Sequence, residues 1–140
     1  MQTTLAILKP DTVAAGNAGK VLAHLEQDGF TLRGLRILHL TRAQAEAFYA
    51  VHRERPFFAS LVEFMTEGPV IPVALEREDA VARLREVMGA TDVAKAADGT
   101  IRKLYGTSIE RNAIHGSDSA ENAAIELAFF FPLTERIAAR

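Results

Sequence analysis

The sequence contains no cysteine, which excludes disulfides, zinc–thiolate centres and thiol catalysis and fits a reducing compartment. No stretch approaches the ~18 consecutive apolar residues that a membrane-spanning helix needs. The apolar run in MQTTLAIL is stopped by Lys9 and Pro10, with no basic leader before it and no small-residue cleavage site after it. It does not read as an export signal, and the cytoplasm is the expected location. Neither sign of charge is in excess: 16 Lys and Arg against 18 Asp and Glu give a net charge of −2, which offers no general pull toward nucleic acid or an anionic membrane. Common catalytic signatures are missing as well. The four histidines, His24, His39, His52 and His115, stand singly, with no pair at metal-ligand spacing. There is no Gly-x-Ser-x-Gly elbow. GNAGK, Gly16 to Lys20, has two residues between its glycines where a phosphate loop has four, and Val21 where that loop has Ser or Thr. It reads as a helix N-terminus.

What is present is an ordinary globular composition, 49% hydrophobic and 24% charged over 140 residues, the length of one domain, here residues 1–140. Leu5 and Ile7 belong to a short strand ended by Lys9-Pro10-Asp11 and followed by a loop. Val21, Leu22 and Leu25 share a helical face, with Gly29 past its end. Phe30 and Leu32 alternate, then Leu35 and Ile37 alternate in the opposite phase, which predicts a strand with a bulge at Gly34. Thr41 and Gln44 form a capping-box pattern opening a helix with Ala45, Phe48 and Tyr49. Phe57 to Met65 has helical spacing, closed by Gly68-Pro69. VIPVAL is strand-like except for Pro72, and Asp79 is placed to cap a helix carrying Val81, Leu84 and Met88, with Gly89 closing it. Thr91 to Gly99 reads as a loop. SAENAA predicts a short helix running into a strand, IELAFFFP, with Ile125, Leu127, Phe129 and Phe131 on one face and Glu126 on the other. Strands and helices therefore alternate, with no repeat or linker, as in an α/β sandwich of the split β-α-β kind.

RNAIHGSD, Arg111 to Asp118, sets one histidine among turn-forming residues. A lone loop histidine is ordinarily a solvated side chain, and other polar residues at element ends have equally plain readings. Arg85 fits a solvated helix face, Tyr49 a core position with a wet tip, and Lys9 an edge charge that discourages strand pairing. Glu126 is the exception: a carboxylate inside a strongly apolar segment needs a partner.

Taken together, KPD (Lys9 to Asp11), HRERPFF (His52 to Phe58), LVEFMTEGPV (Leu61 to Val70), MGATD (Met88 to Asp92), GTIR (Gly99 to Arg102) and NAIHGSDS (Asn112 to Ser119) resemble the nucleoside diphosphate kinase family in order and spacing, from Leu5 to Phe131. The resemblance implies a ferredoxin-like α/β fold with a four-stranded antiparallel sheet covered by helices. It also implies ping-pong transfer of a γ-phosphate between nucleotides through a phosphohistidine. By that resemblance His115 is the nucleophile, and Glu126 accepts from its other ring nitrogen. Lys9, Tyr49 and Asn112 bracket the transferring phosphate and the ribose, while Arg85, Thr91 and Arg102 hold the outer phosphates. Phe57 and Ile109 clamp the base by shape, so that purines and pyrimidines are both accepted. Mg²⁺ arrives with the polyphosphate and has no direct protein ligand, Asp118 reaching it through water. Ser117 is placed to touch His115 or to cap the following helix, with Ser119 the rival cap, and Gly116 leaves room for the phosphate. The implied partners are ATP and other nucleoside di- and triphosphates, together with further copies of the chain in a dimer-based tetramer or hexamer. A nucleotide-binding regulator without turnover is the rival reading, and nucleic-acid binding has no support from charge. Two positions depart from the family pattern: Val93 stands where a proline is usual, and Pro72 lies inside a strand.

Overall fold

The computed structural model describes residues 1–136. Four strands, β1 (Gln2–Leu8), β2 (Thr31–Leu35), β3 (Ile71–Arg77) and β4 (Ile114–Gly116), form an antiparallel sheet in the order β2-β3-β1-β4. Two β-α-β crossovers build it, one through α2 (Ala18–Gln27) and one through α5 (Ala80–Met88). Side chains alternate across a strand, so β1 feeds two cores. Ala6 and Leu8 pack with α2, α5 and α6 (Ile101–Tyr105), whereas Leu5 and Ile7 face α3 (Arg42–Phe48), α4 (Phe58–Met65) and α7 (Ala120–Phe130). Burial on both faces explains why the centre of β1 is an unbroken apolar run. Among the described residues no helix is long and apolar enough to cross a membrane.

Several local expectations hold. Thr41 and Gln44 form a reciprocal capping box on α3, with Tyr49 at its C-terminus. The β2–β3 register shifts between Leu32 and Gly34, as a bulge requires, and α2 begins at Ala18 within GNAGK. Pro72 is accommodated because its carbonyl accepts from Arg36 N–H at 3.1 Å. The bond it cannot return is to Arg36, just beyond the end of β2, and the pairing with β1 continues through Ile7.

Other expectations are corrected. Lys9-Pro10-Asp11 does not open a loop but starts a short helix, α1 (Pro10–Ala14), with proline in its first turn, where its missing N–H costs nothing. Asp79 occupies the N-cap position of α5 but lies in the left-handed region at φ 50 and makes no side-chain cap. Gln2 supplies one instead, its Oε1 accepting from Val81 N–H at 2.8 Å. The stretch Thr91 to Gly99 contains a 3₁₀ turn at Val93–Lys95, started by Asp92. The largest change is at IELAFFFP, which is no strand. Ser119 caps Asn122 N–H at 3.0 Å, and α7 runs through Phe130 with Ala123, Leu127 and Phe130 buried at helical spacing. Ile125 and Phe129 are left 69% and 42% exposed. The fourth strand is β4, which carries His115 opposite Ile7.

Val93 packs over Gly106, where an added Cβ would lie 2.8 Å from Val93 Cγ2. It is the first residue of its 3₁₀ turn, and Asp92 before it is extended (φ −79, ψ 112). Both conditions suit proline. Val93→Pro is therefore expected to stabilise the fold by about 0.4–1 kcal/mol through the unfolded chain, read as a higher urea midpoint at unchanged slope.

Candidate active site

His115 and Ser117 are two residues apart where β4 ends, and α7 turns back to bring Glu126 to the same place. The Nε2–H of His115 donates to Glu126 Oε1 at 2.7 Å, and the Ser117 hydroxyl donates to the same oxygen at 2.8 Å. Ser117 is fully buried, and the His115 and Glu126 side chains are each 20% exposed. A carboxylate can only accept from the ring, so in the neutral imidazole Nε2 carries the proton and Nδ1 keeps its lone pair. Phe48 meets the imidazole edge-on at 5.5 Å between centroids, and Tyr49 does so at 6.3 Å. Glu126 comes from a helix and not from the far face of a strand. Gly116 does not make room for a ligand either: a Cβ there would lie 2.7 Å from Met88 Sδ and 3.0 Å from Leu84 Cδ2, so the glycine lets β4 sit down on α5.

Beside the imidazole lies a cluster of cations. Lys9, at the end of β1, is buried and donates from Nζ to Asn112 Oδ1 at 2.7 Å, while Asn112 Nδ2 donates to the Thr91 carbonyl at 3.2 Å. Arg102, 7% exposed on α6, donates to the carbonyls of Gly89 and Ile114 at 3.1 and 2.8 Å. Burial pushes the Lys9 ammonium down to about 8, and the Arg102 guanidinium adds to the effect. Arg102 is in turn brought down to about 10 by burial and by Arg85. Buried like charges of this kind are stabilised by an anion among them. The Tyr49 phenol is raised above its ordinary range by burial and then by Glu126, so it stays a neutral donor. Among the described residues Tyr49 Oη and Arg102 Nε are buried without a protein partner.

An open cavity of about 490 Å³ runs along Arg85, Gly89, Thr91 and Thr100. Phe57, 46% exposed, stands at the head of α4, and Ile109, 60% exposed, on the loop before β4. These two segments are tied by a Ser60–Glu110 hydrogen bond of 3.0 Å and an Arg111–Glu67 ion pair of 2.7 Å. Asp118 Oδ1 accepts from Asn122 Nδ2 at 2.6 Å. Among the described residues no group of three or more His, Asp or Glu could hold a metal ion. The structure thus gathers His115, Glu126, Ser117, Tyr49, Lys9, Asn112, Thr91 and Arg102 at one end of the sheet. It adds two residues the sequence reading passed over. One is Phe48. The other is His52, which stacks on Tyr49 at 6.5 Å and leans on Phe57 at 5.3 Å; its place between Tyr49 and HRERPFF was the available signal.

A deprotonated ring nitrogen beside buried cations suits transfer of an anionic group through the histidine. The comparisons agree. The family model for nucleoside diphosphate kinase matches residues 2–136. A nucleoside diphosphate kinase of Sorangium cellulosum is 57% identical over 131 residues, covering 94% of this chain and 91% of its own. That of Chlorobium chlorochromatii is 56% identical, with 96% of each chain covered. Among solved structures, the Aquifex aeolicus nucleoside diphosphate kinase superposes with a TM-score of 0.95 at 46% identity, covering 97% of this chain and 99% of its own. The Halobacterium salinarum enzyme in complex with CDP gives 0.94 at 38% identity, with 99% and 93% covered. With fold, sequence and the arrangement around His115 in accord over nearly its whole length, this chain belongs to the nucleoside diphosphate kinase family.

Proposed function

We propose that this chain, as one domain over residues 1–140, moves the γ-phosphate of ATP or another nucleoside triphosphate to a nucleoside diphosphate through Nδ1 of His115. The single observation that carries the reading is the 2.7 Å bond from His115 Nε2–H to Glu126, because it assigns the lone pair to Nδ1. In the first half-reaction that lone pair forms an N–P bond as the bond from the γ-phosphorus to its bridging oxygen breaks. The nucleoside diphosphate leaves with the electron pair. In the second, a terminal oxygen of another nucleoside diphosphate attacks the phosphorus and the N–P bond returns its electrons to Nδ1. Glu126 balances the positive charge that the ring gains while phosphorylated, without itself needing to take a proton. Lys9 and the Tyr49 hydroxyl neutralise and steady the oxygens of the moving group, and Asn112 orients Lys9 and reaches the ribose. Arg85, Thr91 and Arg102 hold the outer phosphates, as phosphoryl transfer demands positioning and charge neutralisation above all.

Phe57 and Ile109 take the base by its faces, a contact tolerant of base identity. Bound with the polyphosphate, Mg²⁺ would supply further neutralisation of the phosphate oxygens. Asp118, whose Oδ1 accepts from Asn122 Nδ2 at 2.6 Å, would hold such an ion through water. The same reading includes a cytoplasmic location and a homo-oligomer, tetramer or hexamer, assembled from dimers. The outer edge of β2, with Leu35 42% and Ile37 67% exposed nearby, supports self-association.

The test is intact-mass analysis after brief mixing with ATP and Mg²⁺. One acid-labile phosphate, discharged by GDP to yield GTP, is expected. ATP binding without a phosphoenzyme overturns the reading in favour of a regulator. The Lys9 environment adds a second expected result. A polyphosphate at Lys9 raises its depressed pKa, so nucleotide binding takes up protons wherever the free protein has lost them and the complex has not. Calorimetric titration with ADP at about pH 8.5, in two buffers of different ionisation enthalpy, is expected to show uptake of up to about three-quarters of a proton, since a group titrating at about 8 has lost that share in the free protein. Uptake vanishes near pH 6.5, where Lys9 is already charged, and is absent in Lys9→Met at either pH.

A further inference from the structure

Ala113 lies at φ +74, a left-handed conformation that residues with a Cβ rarely adopt. The N–H of Ile114 closes on the Asn112 carbonyl at 2.9 Å across it. This tight turn joins Asn112, the partner of Lys9, to the strand that presents His115. What holds it comes from the start of α1, about a hundred residues earlier. The backbone N–H of Lys9 and the hydroxyl of Thr12 both donate to the Ala113 carbonyl at 2.9 Å. Asp11 Oδ2 accepts from the Ala113 N–H at 3.1 Å. Both polar groups of a fully buried, strained residue are thus fixed from one side. An acidic residue serving only to cap a five-residue helix would face water. Asp11 instead turns inward, with Oδ1 buried and lacking a partner among the described residues, and burial raises its carboxyl above the ordinary range.

We infer that Asp11 is a positioning residue for phosphoryl transfer: by taking the Ala113 N–H it locks the left-handed turn that sets the Lys9–Asn112 pair against Nδ1 of His115. The inference rests on the reading of His115 as the nucleophile. Without this acceptor Ala113 is free to relax toward negative φ, which rotates the Asn112 peptide and moves its side chain relative to the imidazole. Misplacement on that scale slows chemistry far more than it weakens binding of the rest of the nucleotide.

The experiment compares the unaltered chain with Asp11→Ala, Asp11→Asn and the double variant Asp11→Ala/Ala113→Gly. It measures the single-turnover rate of phosphoenzyme formation at saturating ATP and Mg²⁺, ADP affinity by calorimetry, and thermal unfolding. Asp11→Ala is expected to slow phosphorylation by about 10–100-fold while ADP affinity changes by no more than about threefold. Asp11→Asn keeps an acceptor oxygen and stays near the native rate. Glycine adopts positive φ without strain, so the double variant recovers most of the lost rate. A merely structural role would show as a lower unfolding temperature with a native rate in the folded fraction. That result, or a double variant as slow as Asp11→Ala, overturns the inference alone. No phosphoenzyme on the unaltered chain overturns the assignment of His115 and this inference with it.

Discussion

His115→Ala is expected to form no acid-labile phosphoenzyme and to lose ATP–GDP phosphate exchange by about 10⁴-fold or more, since removal of a covalent nucleophile leaves only binding and electrostatics. The loss is specific because little else changes. After truncation Glu126 still accepts from the Ser117 hydroxyl, so its carboxylate is not stranded, and the β4 backbone keeps its pairing with β1. Lys9 holds Asn112, Asn112 holds the Thr91 carbonyl and Arg102 holds the carbonyls of Gly89 and Ile114; none of them holds the imidazole. ADP affinity should therefore stay within about threefold of native, because ground-state contacts to the phosphates are untouched. Intact mass, exchange assay and calorimetry on one preparation give all three readings. Phosphoenzyme surviving in His115→Ala would move the nucleophile elsewhere, with His52 the first to test, since it shares the Tyr49 neighbourhood.

The chain announces some of this plainly and hides the rest for identifiable reasons. β1, the Gly34 bulge and the Thr41–Gln44 capping box are readable because each rests on near neighbours in sequence. IELAFFFP is different: a short, dense apolar run satisfies a period of two as readily as a helix. The Ser119 cap and the burial of Leu127 and Phe130 against β1 decide for the helix, and the second is a tertiary fact. β4 is three residues long, too short to show a period at all. The partnership of His115 with Glu126 was expected from the family resemblance, although from a strand face that does not exist; the helix delivers the carboxylate after nearly two turns. In sequence Gly116 reads as room for the ligand because the side chains that would strike its Cβ, Leu84 and Met88, come from α5. The role of Asp11 is hidden for the same kind of reason, since its partner Ala113 lies about a hundred residues away. In each case the missing information is which group, distant in sequence, the fold brings alongside.

Replacing Glu126 separates two contributions that the geometry joins on one atom. His115 Nε2–H and the Ser117 hydroxyl both donate to Oε1, so the amide oxygen of Glu126→Gln can receive both bonds and preserve the tautomer while the charge is lost. What disappears is the field that favours the phosphorylated, cationic ring. Phosphorylation is expected to slow by about 10–100-fold, as for loss of one charge-assisted bond that matters more in the transition state than before it. Glu126→Ala removes the charge and both acceptors. The ring is then free to place its proton on Nδ1, where it blocks attack, and a fully buried hydroxyl loses its partner. That variant should fall by about 10³-fold or more, the tautomer penalty adding to the charge effect. ¹⁵N chemical shifts of His115 test the division directly: Nε2 should remain the protonated nitrogen in the unaltered chain and in Glu126→Gln, and lose that dominance in Glu126→Ala. Equal rates in the two variants would mean that charge alone is at work and that Phe48 and Tyr49, edge-on to the ring, suffice to hold it in place.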